Sequence, residues 1–338
     1  MIHHHRWAAV LLLLLVTPVA SAWEADYGYF IRENARLDLS TGALDVAGEG
    51  DHLYVATRSG FLVVDISNPQ VPAIVGQGAP GDWLRRVTVR DEVLYVSQVG
   101  GGVSLYDVSQ PDAPQFISTL SVPTDPHGIA LAPATGPVEA MFVAGTSRVY
   151  CVDVSDPAAP AIQAELVSPG NDQAKDAAYG SGYLYVAYEG IGESWVIDVS
   201  DLKNPVQVGT LSAASRLLID GNRLYASTSA DLQTYALTDP VNPAFLGEAS
   251  VGPDISGFAP HGGWVFTAAG CRGLLTVNPV ADPVVGGVPC RARGSATSVV
   301  ILDGRAFVSA TGDSDTWGTI QVVDLTVPLS PTLISFEG

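Results

Sequence analysis

From residue 43 onward the chain sets short apolar runs, rich in Val, Leu and Tyr, between clusters of Gly, Asp and Pro. No stretch carries the three-to-four-residue spacing of an amphipathic helix, so the pattern predicts strands and turns. Residues 86–120 illustrate it. RVTV (86–89) alternates apolar and polar positions, and LYVSQ (94–98) follows the turn RDE. The glycine turn Gly100-Gly101-Gly102 then leads to VSLYDVS (103–109), and QFISTL (115–120) closes the segment. The third of these strands is apolar on both faces up to its Asp, as expected of a strand covered by neighbouring sheets.

The segment is one of a series. FLVVDISNPQVP (61–72) returns as SLYDVSQPDAP (104–114), YCVDVSDPAAP (150–160), WVIDVSDLKNP (195–205), TYALTDPVNP (234–243), LLTVNPVADP (274–283) and QVVDLTVPLSP (321–331), with closing prolines 38 to 48 residues apart. A second phrase begins about twenty residues before each closing proline: HLYVA (52–56), VLYVS (93–97), AMFVA (140–144), YLYVA (183–187), RLYAS (223–227), WVFTA (264–268) and RAFVS (305–309). Two markers in constant order define seven four-stranded units. That period fits radial repetition, an all-β seven-bladed β-propeller of four-stranded antiparallel blades. A β-solenoid, the competing architecture, uses shorter coils.

GFLVVDISNPQVP and VYCVDVSDPAAP resemble the LVIVD repeat, named for a hydrophobic third strand ending in Asp and followed by Ser, Asp or Asn and Pro. The resemblance extends over about residues 43–338 and is specific in the first four units and the seventh. It implies a propeller on exported bacterial or archaeal surface proteins, most without an established activity. Units five and six depart, with Ala236 and Thr276 read at the position of the Asp.

The N-terminus has a different character. Arg6 ends a short positive start, Trp7 to Val16 is apolar, and Ala20-Ser21-Ala22 offers small residues for cleavage. Residues 1–22 therefore read as a secretory signal peptide. An uncleaved anchor is the alternative, but the apolar run is too short to span a bilayer. Residues 23–42 read as an extension that covers an edge or caps a face, because TLISFEG (332–338) offers the last unit a fourth strand of its own. The propeller is expected over 43–338.

The formal net charge is −19, and loss of Arg6 would leave 15 basic against 35 acidic residues. Such a surface repels phosphate backbones and anionic lipids, so neither nucleic acid nor a membrane surface is an expected partner.

The repeated Asp65, Asp107, Asp153, Asp198 and Asp324 are read as structural: a carboxylate at a strand end accepts N–H groups of the turn it introduces, and the prolines stop the strand. Catalysis needs one carboxylate in a special environment, and five similar ones around a ring do not supply it. Counting back from the aromatic of the LYVA phrase finds a second ring, at the mouth of the central channel: Leu44/Asp45, Arg85/Arg86, His127/Gly128, Lys175/Asp176, Ser215/Arg216, Ser256/Gly257 and Thr297/Ser298. Arg85, Arg86, His127, Lys175, Asp176 and Arg216 form the candidate ligand site, its cations suited to a carboxylate or phosphate. The competing reading pairs those cations with Asp45, Asp82, Asp125, Asp172 and Asp176.

Other chemistry finds little support. No haem, nucleophile-elbow or phosphate-loop motif is present. Asp313, Asp315 and Gly318 in TGDSDTWG make a fragment of a calcium loop without its terminal Glu, so no metal and no cofactor are expected. Cys271 and Cys290 flank one blade and suit a disulfide in an oxidising compartment, while Cys151 reads as a buried apolar residue. The reading is a rigid binding or protein-interaction platform at the cell surface or in the periplasm, contacting a protein partner or a small anionic ligand at the channel mouth. Two alternatives stay open: a hydrolase or lactonase-like enzyme working in the channel, and a self-assembling structural surface protein.

Overall fold

The computed structural model describes residues 32–325 apart from 82, 134–138, 189, 281–283, 289–293 and 313–316. Among these residues the chain forms seven antiparallel sheets of four strands each, the expected seven-bladed propeller. The innermost strands are Ala43–Glu49, Leu84–Arg90, Pro126–Ala132, Ala174–Gly180, Arg216–Asp220, Ile255–His261 and Gly294–Leu302. Each lies beside the next in chain order, and the seventh returns against the first. Thr297 fastens that return by donating its hydroxyl to the Ala43 carbonyl at 2.7 Å.

Burial peaks in the middle of each blade, and the innermost strands such as Leu84–Arg90 are only partly covered. The second strands, which hold the LYVA phrases, are almost wholly covered: every residue of Ala140–Gly145 is buried, and so are all but the first of His52–Thr57. Fourth strands such as Ala73–Gly78 lie largely open to solvent. The core is divided into wedges between blades. Tyr54, Ala56, Phe61 and Val63 of blade one meet Leu84, Val87, Leu94 and Val96 of blade two, for example. Each sheet buries both faces against its neighbours, and for that reason the second and third strands are apolar almost throughout.

Ring closure differs from expectation. Residues 23–42 were expected to lie outside the propeller, yet Arg32–Leu39 pairs antiparallel with Gly318–Asp324 and supplies the outer strand of the seventh blade. The propeller thus starts before residue 43. This strand covers only one face, so Ala35, Leu37 and Leu39 point inward while Arg36 and Asp38 point out. Charged side chains on an outer edge discourage pairing with another chain. The segment 332–338 lies outside the described residues.

A basic cluster at the channel mouth

Six of the seven innermost strands carry a register shift at or near their start, in which two residues oppose one on the second strand: Ala43/Asp45, Leu84/Arg86, Pro126/Gly128, Ala174/Asp176, Ile255/Gly257 and Ala296/Ser298. Such bulges re-aim side chains at the rim of a sheet. In the remaining blade, Arg216 opposes Ser227 at the equivalent position. Hence Asp45, Arg86, Gly128, Asp176, Arg216, Gly257 and Ser298 form one ring around the axis. The residues before them form a second ring above it.

That upper ring frames an open cavity of about 430 Å³ lined by Arg85, Arg86, His127, Lys175 and Arg216, together with Leu44, Arg58, Trp83, Leu84, Val99 and Ser215. Four adjacent blades contribute the five basic groups. Asp176, the sixth candidate, lies a step deeper. It lines a channel cavity of about 350 Å³ with Asp45, Val87, Leu217 and Ser298, and Arg86 and Arg216 line both cavities.

The acids and bases of the lower ring hold the blades together. Asp45 accepts the Val87 N–H at 3.1 Å and Asp176 the Leu217 N–H at 3.2 Å, each one blade ahead. Arg86 stands 3.7 Å from Asp45 and 3.9 Å from Asp176, and its Nε donates to the His127 carbonyl at 3.2 Å. Burial raises the pKa of both carboxyls, against the opposing pull of the Arg86 guanidinium and the amide donors. Gly128 lets this contact form, since a Cβ there would lie 2.7 Å from the Asp176 Cα. For Arg86, therefore, pairing with acids describes the geometry.

The upper ring is held more loosely. Arg85 reaches only 4.0 Å from Asp125, a carboxylate that also accepts the Gly100 N–H at 2.7 Å. Lys175 donates to the Gln173 amide oxygen at 3.2 Å. Arg216 forms no ion pair with a described residue. Asp172 turns to the Gly190 N–H instead of the cluster, and Asp82 lies outside the described residues. His127 Nε2 lies 3.3 Å from the Thr146 hydroxyl. Burial, then Arg85 and Lys175, push its pKa down to about 4 against the pull of Asp125, so the ring is neutral at pH 7.

Two rim residues carry no repeat signal. Trp83 is 55% exposed, and the Arg58 guanidinium lies 4.3 Å from its ring centroid. Its backbone is pinned on both sides, by Trp83 N–H to the Arg58 carbonyl at 2.7 Å and Val99 N–H to the Trp83 carbonyl at 3.1 Å.

Comparisons bear on the scaffold. The family model described as LVIVD repeat matches residues 42–78 and 173–212, which span blades one and four. The chain carries LVIVD repeats. Among solved structures, BamB from Moraxella catarrhalis superposes with a TM-score of 0.55 at 13% identity, covering 83% of this chain and 84% of its own. A protein of unknown function from Desulfotomaculum acetoxidans DSM 771 gives 0.60 at 14% identity, covering 73% and 89%. Sqt1 of Saccharomyces cerevisiae gives 0.59 at 10% identity, covering 82% of each chain. At such identities the likeness is one of fold. No curated protein matches the sequence.

The strand-end acids stand away from the cluster, because antiparallel third strands run from the mouth towards the opposite face. Asp65, Asp107, Asp153 and Asp198 each accept the N–H two residues on, from Ser67, Ser109, Ser155 and Ser200, at 2.8 to 3.0 Å. Asp324 ends its strand in the same register, opposite Arg305. Unit six needs a correction. Thr276 pairs with Phe266 and Val277 with Val265, which puts Asn278, not Thr276, at the Asp position. Asn278 accepts the Val280 N–H at 3.1 Å and makes the same turn. Counting from a closing proline misplaced it, because this loop is shorter.

Cys151 is buried, and Cys271 is an exposed thiol without a disulfide; Cys290, its expected partner, lies outside the described residues. So do Asp313 and Asp315. Among the described residues no group of three His, Cys, Asp or Glu side chains is placed to hold a metal, and no helix is long and apolar enough to cross a membrane.

Proposed function

We propose that this protein is an exported, non-enzymatic binding platform whose mouth face takes an anionic group, offered by a small ligand or by a protein partner. One observation carries the reading: Arg85, Lys175 and Arg216, from three blades, converge on an open cavity in a chain of net charge −19. Arg86 is committed to Asp45 and Asp176 beneath them. Arg85 comes only to 4.0 Å from Asp125, and Arg216 forms no ion pair with a described residue, so a bidentate Arg contact to a carboxylate or phosphate can form there. A field of one sign in a cleft also draws in a ligand of the opposite sign.

The lower ring supports binding over chemistry. Its two buried carboxylates already accept backbone N–H groups and flank a guanidinium, which spends them on joining blades. Export rests on residues 1–22, and a mature protein starting at Trp23 is the expected result of N-terminal sequencing.

Calorimetric titration with acetate and inorganic phosphate tests the site directly. Wild type should bind at least one of them in a salt-dependent way, and Arg85→Gln/Arg216→Gln should lose that binding while keeping its thermal midpoint. Crosslinking with mass spectrometry on intact envelopes identifies a protein partner. Crosslinks only between copies of this chain would favour a self-assembling surface protein instead.

A further inference from the structure

The lining of the mouth cavity sets apolar Leu44, Trp83, Leu84 and Val99 beside the basic groups. Trp83 is unusual within it. Its φ is 62°, a left-handed conformation that bulky residues avoid, yet more than half of its surface stays in water. A strained position normally persists because its surroundings demand it, and burial is not the return here. Instead, two backbone hydrogen bonds and the Arg58 guanidinium over the ring fix the indole at the cavity rim. Val99, 37% exposed, adds to the same surface.

The lining also has a one-sided hydrogen-bonding character. Its polar side chains among the described residues are Arg58, Arg85, Arg86, Lys175 and Arg216, which only donate, with Ser215 and His127 able to accept. A carboxylate offers such donors several acceptor sites and a full negative charge, where a hydroxyl or neutral amide offers a single weaker oxygen.

Building on the anion-binding reading, we propose that the mouth binds a small carboxylic acid borne on a flat apolar ring, with the carboxylate at Arg85, Lys175 and Arg216 and the ring against Trp83 and Val99. Aromatic rings offer stacking area at low entropic cost, and the basic groups fix the orientation.

Calorimetry with 2-naphthoate, acetate, inorganic phosphate and 2-naphthamide tests it. Naphthoate should bind wild type at least about tenfold tighter than acetate, a difference of about 1.4 kcal/mol, and naphthamide should not bind. Trp83→Gly suits the left-handed backbone. It should bring naphthoate to the level of acetate. Val99→Ser reads the same apolar lining independently should Trp83→Gly fail to fold. Equal affinity for naphthoate and acetate, or indifference to both variants, overturns the ring-binding inference and leaves the anion site standing. Failure of every anion to bind wild type overturns both. A peptide with a C-terminal phenylalanine carries the same groups with added N–H donors and should bind more weakly. Tighter binding of the peptide would overturn the assignment to a small acid.

Discussion

The Arg86 guanidinium and the Asp176 carboxylate approach to 3.9 Å although they stand on blades two and four. The contact passes over blade three, where the ring position is Gly128. Asp45 lies on the other side of Arg86 at 3.7 Å, so one guanidinium serves two buried carboxylates. Breaking a buried pair leaves an uncompensated charge, a loss on the order of 3–5 kcal/mol. Arg86→Gln should therefore lower the urea midpoint strongly. Burial already raises both carboxyl pKa values, and loss of the guanidinium raises them further. A raised carboxyl stabilises below its unfolded value, and that share is lost as pH rises through the folded one. The deficit of Arg86→Gln should thus be larger at pH 8 than at pH 5, and an equal deficit at both would refute the arrangement.

Gly128 is the complement of that contact. A Cβ would meet the Asp176 Cα and Oδ1, both at 2.7 Å, and the Ala177 nitrogen at 3.1 Å. Backbone atoms cannot swing aside, so Gly128→Ala should cost about 1–3 kcal/mol by overpacking. At Gly262, where nothing lies within 4 Å of the same atom, crowding is absent and only the positive φ of 59° penalises a side chain. Thermal melts of the two variants separate crowding from backbone strain.

The strand-end turns predict a milder effect. Asp65 accepts the Ser67 N–H at 2.8 Å in an exposed loop, where water can replace the carboxylate. Asp65→Ala should cost about 0.5–1 kcal/mol. Asp65→Asn should cost less, as Asn278 makes the equivalent bond in blade six. The hydroxyl and N–H of Ser67 lower the Asp65 pKa, so its stabilising share is present above pH 4 and is lost as pH falls through the folded value. Anion binding at the mouth should be untouched in both variants.

The sequence reveals these features unequally, and register explains why. The LYVA aromatic sits a constant number of pairs from each bulge, so counting back from Tyr95 or Tyr185 reached Arg86 and Asp176. Turns vary in length, so counting from a proline reached Thr276 where the strand pairing selects Asn278. Arg32–Leu39 escaped because an outermost strand buries one face and has no LVIVD phrase. The Arg58–Trp83 contact joins loops of two blades, and no period along one chain relates such loops.

Closure by the first strand has its own consequence. Leu39 is buried against Ala43, Ile320 and Val322, and Leu37 packs beside it. Removing residues up to 41 would expose that surface and the Gly318–Asp324 edge. The loss should reach about 3 kcal/mol or more from the two leucines, with a growing tendency to aggregate at the bare edge. Urea denaturation and light scattering of the truncated chain measure the two effects.

His127 makes the mouth responsive to pH. Its neighbours are Arg85, Arg86 and Lys175, which disfavour its protonation, Asp125, which favours it, and the Thr146 hydroxyl. Burial is the largest influence, and together they lower the pKa from 6.5 to about 4. Between those values the unfolded chain binds a proton that the folded chain refuses, so this residue's contribution to stability falls as pH drops from 6.5 towards 4. The stability curve of His127→Gln should be flatter than that of wild type in this window, and parallel curves would contradict the assignment. A bound anion reverses the local balance by offsetting the three cations. Binding should then raise the His127 pKa and draw in a proton. The affinity for acetate, itself ionised above about pH 5, should increase between pH 7 and pH 5 in wild type. His127→Gln should lose that increase, and an NMR titration of the imidazole with and without acetate reads the pKa directly.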